Sequence, residues 1–334
     1  MYKRKLGTQG LEVSALGLGT MGMSASDRAP AIYGTVDPDE ARRTLHRAIE
    51  IGVNFFDTAE VYGPFTNEEL LGRAFAGKRG QVILATKFGF QIAADGSISG
   101  VNGQPEHALE VLDNSLKRLG TDYIDLWYLH RLDKNIPIED TIGAMARAVK
   151  MGKVRYLGLS EVGAKTLERA AAVHPISALQ SEYSVWERNI EGNVLDTARR
   201  LKIGIVPFCP LGRGFLSGTA KPAKEYPIGD YRREDLRYQP ANYVANQHIL
   251  STLRSVAARH SATAAQIALA WLLHQGPDVV PIPGTKQQRY LEENSMATEI
   301  ELSAIDLGEL ALKIPSGVTA GARYGEEMMA SVDR

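Results

Sequence analysis

Asn54-Phe55-Phe56-Asp57-Thr58-Ala59-Glu60-Val61-Tyr62-Gly63 is the stretch on which the fold of this 334-residue chain is read. Its apolar start, residues 53–56, is continuous rather than alternating, as expected for a parallel strand covered on both faces. An aspartate closes the run, and a tyrosine follows five residues later in a short loop. Two further runs end in a similar way. Residues 82–85 lead through Thr86 to Lys87, and Ile124–Leu129 leads to His130. In parallel α/β barrels chemistry collects where the strands end. Neighbouring strands would bring Asp57, Tyr62, Lys87 and His130 to one mouth.

Five more apolar runs, at 15–18, 154–159, 178–180, 205–208 and 279–282, bring the number of candidate strands to eight. Helical patterns lie among them, at 38–51, 68–75, Pro105–Leu119, 138–151, Ala164–Val173, 194–201 and 262–274, with a last helix at 287–297. Asp37 is placed to cap the first, with Pro38 at its opening position. Strand-helix alternation without a strong linker predicts a parallel sheet, and eight units predict closure. The expected fold is therefore α/β, a (β/α)8 TIM barrel occupying residues 1–334 as one domain. An open doubly wound sheet is the rival. It would need a helix opening directly on Gly17-Leu18-Gly19-Thr20-Met21-Gly22, and none is patterned there. Gly7-Thr8-Gln9-Gly10 between short β-prone segments predicts an N-terminal hairpin. The stretch 210–242, rich in Gly, Pro, Arg and Tyr, predicts a long loop after strand seven.

Composition narrows the function. A net charge of −1 gives no electrostatic footprint for nucleic acid. No stretch approaches the roughly 20 apolar residues that span a bilayer. Cys209 is the only cysteine, so the chain has no internal disulfide, and a cytoplasmic setting is expected. The seven histidines show no paired ligand spacing at strand ends, so no catalytic metal is expected.

The four strand-end groups suit proton transfer. A free tyrosine titrates near pH 10, too high for efficient acid-base work at neutral pH. A neighbouring ammonium favours the phenolate, an aspartate holds the ammonium charged, and a histidine can orient a carbonyl oxygen. Singly, each has a structural reading: Asp57 as a cap, Lys87 as a solvated charge, His130 as a hydrogen-bonded core residue, Tyr62 as a turn-packing ring. Their joint occurrence at successive strand ends favours chemistry.

The decisive stretch, with Leu16-Gly17-Leu18-Gly19-Thr20-Met21-Gly22-Met23, Ala85-Thr86-Lys87-Phe88-Gly89 and Asp125-Leu126-Trp127-Tyr128-Leu129-His130-Arg131, resembles the aldo-keto reductase superfamily. Gly152–Glu161, Gln180–Ser184, Pro207–Leu216 and Pro281–Lys286 continue the match in order. The pattern is most similar to the branch of YakC-like reductases, pyridoxal reductases and auxin-induced-protein-like enzymes. The resemblance implies hydride transfer from NADPH to an aldehyde or ketone, with Tyr62 as general acid, Lys87 and Asp57 as its support, and His130 orienting the carbonyl.

It also implies a cofactor site. Thr20, Met21 and Asp57 would border the nicotinamide, Ser160, Glu161 and Gln180 would hold its carboxamide, and Phe208 would stack on it. Many relatives have Asn where this chain has Glu161, and a carboxylate cannot donate to the amide oxygen. Cys209, Pro210, Leu211, Gly212, Arg213 and Gly214 would cover the pyrophosphate. Gly284, Thr285 and Lys286, with Arg289, would receive the adenosine 2′-phosphate, and Glu293 and Asn294 the adenine. Met23, Phe88, Trp127, Arg131 and Trp186 are the substrate-pocket candidates, Arg131 also being a candidate ion-pair partner for Asp133 or Glu161. The expected partner is a small carbonyl compound, with no nucleic acid and no membrane. The alternative is a cofactor-binding sensing subunit with slow turnover, like the channel β-subunits that share this core.

Overall fold

The computed structural model describes residues 1–24 and 32–333. Strands β1 (Lys3–Leu6) and β2 (Leu11–Ser14) pair antiparallel across a turn whose Gly7 and Gly10 have φ of 70° and 97°. The left-handed backbone there explains the glycines. Leu6, Leu11 and Val13 are buried and join Phe55, Ala85, Leu126, Tyr128, Ala178 and Val206 in one cluster. The expected hairpin thus plugs the end of the barrel where the strands begin.

A parallel sheet follows. β3 (Leu18–Gly19) is followed by α1 (Pro38–Glu50), β4 (Phe55–Asp57), α2 (Thr66–Ala74) and β5 (Ile83–Phe88). An antiparallel pair, β6 (Phe90–Ile92) and β7 (Ile98–Val101), then interrupts the alternation. After it come α3 (Pro105–Leu119), β8 (Ile124–Leu129), α4 (Ile138–Lys150), β9 (Val154–Ser160), α5 (Ala164–Val173), β10 (Ala178–Glu182), α6 (Asn193–Arg200) and β11 (Gly204–Phe208). The seven parallel strands lie in the order β3-β4-β5-β8-β9-β10-β11.

The expected eighth strand is present only as a seam. Residues 279–284 run between β11 and β3, with parallel bridges Ile205 to Val279 and Gly19 to Gly284. Val280 and Ile282 donate to the carbonyls of Ile205 and Pro207 at 2.8 and 3.0 Å. On the other edge, Pro281 and Pro283 accept from Gly17 and Gly19 at 3.0 and 3.3 Å but have no N–H to give back. Half of one ladder is missing, and the barrel is nearly closed rather than regularly eight-stranded.

The region after β11 differs from a periodless loop. It contains 3-10 turns at Gly212–Ser217, Ala223–Glu225, Tyr231–Arg233 and Leu236–Tyr238, then α7 (Pro240–Ala245) and α8 (Gln247–Arg259). Tyr238 Oη donates to Gly212 O at 2.7 Å and Tyr243 Oη to Ala220 O at 2.8 Å, so the segment folds on itself. Then come α9 (Ala264–His274), α10 (Gln288–Ser295), α11 (Ala304–Lys313) and α12 (Glu326–Ala330). Asp37 caps α1 as expected, accepting from the amides of Asp39 and Glu40. The main core lies between strands and helices, around Leu45, Phe56, Trp127, Leu157 and Leu167. Burying each such side chain stabilises the fold by about 1.5–3 kcal/mol.

Candidate active site

Side chains alternate across a strand, so every second residue points into the barrel. Phe55 and Ala85 lie inside, which puts Asp57 and Lys87 on the same face. Asp57 pairs with Ala85 and Lys87 with Tyr128, so the lysine stands one layer above the aspartate. Tyr128, in register with both Lys87 and Gly158, also points inward, and Gly158 makes room for its ring. A Cβ at Gly158 would sit 2.4 Å from the Tyr128 ring.

Lys87 has no exposed surface. Its Nζ donates to Asp57 Oδ1, to Thr58 O at 2.8 Å and to Tyr62 Oη at 3.2 Å. Gln180 Nε2 donates to the other Asp57 oxygen at 2.8 Å, so both carboxylate oxygens are held. Burial raises the Asp57 carboxyl and depresses the Lys87 ammonium, while each group's charge favours the charge of the other. His130 packs edge-on to Tyr62, with ring centroids 5.9 Å apart, and to Phe90 at 4.9 Å. The four sequence-predicted groups therefore meet at one mouth.

One electrostatic expectation is corrected. Lys87 is close to Tyr62, yet burial, followed by the Asp57 carboxylate, pushes the Tyr62 phenol well above its ordinary range. Tyr62 is thus held as a proton donor. Burial, with the charges of Lys87 and Arg131, pushes the His130 imidazole well below its ordinary range. A neutral ring has one N–H to donate.

Thr20 is tied into the same mouth. Its hydroxyl lies 2.7 Å from Asp57 O and 2.6 Å from Asn67 Oδ1, and its one proton serves either acceptor. Asn67 also accepts from Thr58 Oγ1 and donates to Thr20 O and Ser24 Oγ, joining the loops after β3 and β4. Nothing in the sequence reading singled it out. Met21 opens a 3-10 turn directly after Thr20. Ser160, Gln180 and Phe208 all point inward from the ends of β9, β10 and β11.

Glu161 is placed differently from the sequence expectation. It adopts φ 56°, its carboxylate ion-pairs with Arg323, and its Oε1 accepts from Glu182 N at 2.8 Å. Arg213, in the loop expected to cover a pyrophosphate, turns its guanidinium to Asp235 Oδ2 at 2.7 Å. Arg237 donates to Glu182 at 2.8 Å. Burial raises the Glu182 carboxyl, and Arg237, Arg213 and Arg323 overcome it, holding the group below its usual range. This buried network, with Arg323 and Tyr324 brought in from the C-terminal segment, was not anticipated. Cys209, with φ 47°, Pro210 and Leu211 lead into it, and Gly212 lies on the face of Trp186, where a Cβ would meet the ring at 2.4 Å. Gly214 donates to Leu211 O at 3.0 Å.

At the start of α10, Lys286 Nζ donates to Tyr33 O at 2.6 Å. Glu40 accepts from the amide of Gln288 at 3.3 Å, and Asp37, Glu40, Gln287 and Arg289 line an open cleft. Gly284 passes close to Gly19, where a Cβ would meet Gly19 O at 3.3 Å, and Thr285 caps the amide of Gln287 at 3.2 Å. Glu293 accepts from Thr263 Oγ1 at 2.7 Å and Asn294 is buried.

Four of the substrate-pocket expectations change. Phe88 and Trp127 are fully buried in the layer between strands and helices, because their parity on the strands is opposite to that of Lys87, and Met23, in the 3-10 turn after Thr20, is buried in the same cluster. Trp186 stacks on Phe215 at 4.8 Å beneath the loop after β11. Arg131 does reach the mouth, and pairs with neither Asp133 nor Glu161. Among the described residues, no group of three or more His, Cys, Asp or Glu could hold a metal ion. No helix of the described residues is long and apolar enough to cross a membrane.

Known proteins resemble this chain over nearly its whole length. A model of the aldo/keto reductase family matches residues 15–313. A soybean (Glycine max) protein named probable aldo-keto reductase 1 is 43% identical over 321 residues, 96% of this chain and 91% of that one. The Schizosaccharomyces pombe aldo-keto reductase yakc [NADP(+)] is 41% identical, covering 96% and 94%. Among solved structures, the thermostable aldo-keto reductase Tm1743 is similar at TM-score 0.75 and 32% identity, covering 94% of this chain and 100% of that one. The glycerol dehydrogenase AKR11B4 of Gluconobacter oxydans is similar at TM-score 0.83 and 25% identity, covering 94% and 95%.

Proposed function

The chain belongs to the aldo/keto reductase family, and from that premise we propose that it is an NADPH-dependent reductase of aldehydes or ketones, Tyr62 being the proton donor. The observation that carries the reading is the buried chain Gln180, Asp57, Lys87, Tyr62, joined donor to acceptor. Bound NADPH would supply hydride to the carbonyl carbon. Tyr62 gives its proton to the carbonyl oxygen as negative charge develops there. Lys87, already hydrogen-bonded to Tyr62 Oη, stabilises the phenolate left behind. Asp57 and Gln180 keep that ammonium in place. Neutral His130 donates to the carbonyl oxygen and fixes its approach, and Phe90 closes one side against its ring.

The residues present fit the cofactor. Inward-facing Ser160, Gln180 and Phe208, with Thr20 and Met21, would surround the nicotinamide. The loop 209–214 would cover the pyrophosphate, Lys286 and Arg289 would meet the 2′-phosphate, and Glu293 and Asn294 the adenine. Glu161 is committed to Arg323 and acts within that site only if the ion pair opens. We place the reaction in the cytoplasm, within one barrel domain. The test is NADPH oxidation at 340 nm with a panel of aldehydes. Turnover is expected, and tight NADPH binding without turnover on any of them would contradict the proposal.

A further inference from the structure

Arg131 is 7% exposed and adjoins His130 in the chain. Its Nη1 donates to His130 O at 2.8 Å and to Ser160 Oγ at 3.4 Å. Among the described residues these are its only hydrogen bonds, and it has no ion pair. Every other buried arginine at this mouth is matched: Arg213 with Asp235, Arg237 with Glu182, and Arg323 with Glu161. A buried cation left without a counter-charge is costly, and proteins rarely retain one for structure alone.

The unmatched charge lies close to the reacting groups, held between His130 O and Ser160 Oγ. It bears on Tyr62, Lys87 and His130 together, lowering the tendency of each to hold its proton. The donors left over, Nε and Nη2, form the edge of the guanidinium that grips a carboxylate with two parallel hydrogen bonds. Phe90, edge-on to His130, adds an apolar surface at the same mouth.

We propose that Arg131 is a carboxylate subsite and that the substrates of this reductase are carbonyl compounds carrying an acid group. The inference rests on the reductase reading above. A charge-assisted pair of this kind discriminates acid from ester by roughly 10- to 100-fold.

The experiment compares kcat/KM for 4-carboxybenzaldehyde and succinic semialdehyde with their methyl esters, in wild type, Arg131→Met and Arg131→Lys, with NADPH dissociation constants measured alongside. The esters keep the carbonyl and remove the charge. Wild type is expected to favour both acids, Arg131→Met to lose most of that ratio, and Arg131→Lys to keep part of it. A wild-type ratio near one overturns the subsite without any variant having to fold. So does an equal loss for acid and ester with a matching rise in the NADPH constant, which would assign Arg131 to the cofactor. If no aldehyde is reduced, the reductase reading fails by itself. The subsite is then read by calorimetry on the NADP+ complex, where 4-(hydroxymethyl)benzoate should bind more tightly than its methyl ester, and equal binding overturns it.

Discussion

A lysine with no exposed surface keeps its charge only beside a held carboxylate, and Lys87 has one. The same burial sets the working protonation states of its neighbours. Tyr62, raised by burial and Asp57, stays protonated through the ordinary phenol range, and His130, lowered by burial and two cations, stays neutral below the ordinary imidazole range. The proton donor and the neutral ring therefore coexist at neutral pH. Reductive kcat/KM is expected to stay level from about pH 6.5 to about pH 9, since neither group titrates there. A pH profile with a step centred near the ordinary histidine value would contradict this. These four groups were legible because each ends or follows a short apolar run. Asn67 was not, because its four hydrogen bonds reach three residues on two separate loops and a lone Asn in a helix carries no signal.

At the scale of elements, the start of α10 holds the next test. Lys286 is anchored to carbonyls of the segment after residue 31, and Glu40 already occupies one free amide of the helix. Lys286→Ala should weaken NADPH by about tenfold or more and NADH far less, as lost charge-assisted hydrogen bonds dictate. Fluorescence titration of both cofactors checks it, and equal losses would refute the phosphate role. Most strands and helices were legible from unbroken apolar runs and helical spacing. The eighth strand was over-read, since an apolar run says nothing of the N–H groups that Pro281 and Pro283 lack. α8 carries a helical period at Ile249, Leu253, Val256 and Ala257 that was available in the sequence. The inward or outward sense of Phe88 and Trp127 needed the register, which a one-residue shift reverses.

At the scale of the molecule, the C-terminal segment ties the mouth together. Arg323 pairs with Glu161, and Asp333 accepts from Gly163 N at 2.9 Å. Contacts between residues so far apart leave no local pattern to read. Global stability should also report one buried acid the chemistry does not use. Burial, with the charge of Glu68, raises Glu60 to about 8. The folded state binds that proton more tightly than the unfolded chain, so its contribution is intact below about pH 4.5 and is lost as pH rises through about 8. Glu60→Gln should flatten the fall in Tm between those limits. A Tm profile parallel to wild type would contradict it.

The most direct test of the central claim is the single-turnover rate of hydride transfer from NADPH in Tyr62→Phe, beside wild type, with the best aldehyde found and with NADPH affinity measured in parallel. The substitution removes one oxygen and keeps the ring against His130. The account predicts a loss of roughly 10²- to 10⁴-fold in the rate, with NADPH affinity nearly unchanged. A Tyr62→Phe enzyme that reduces the aldehyde at the wild-type rate would contradict it.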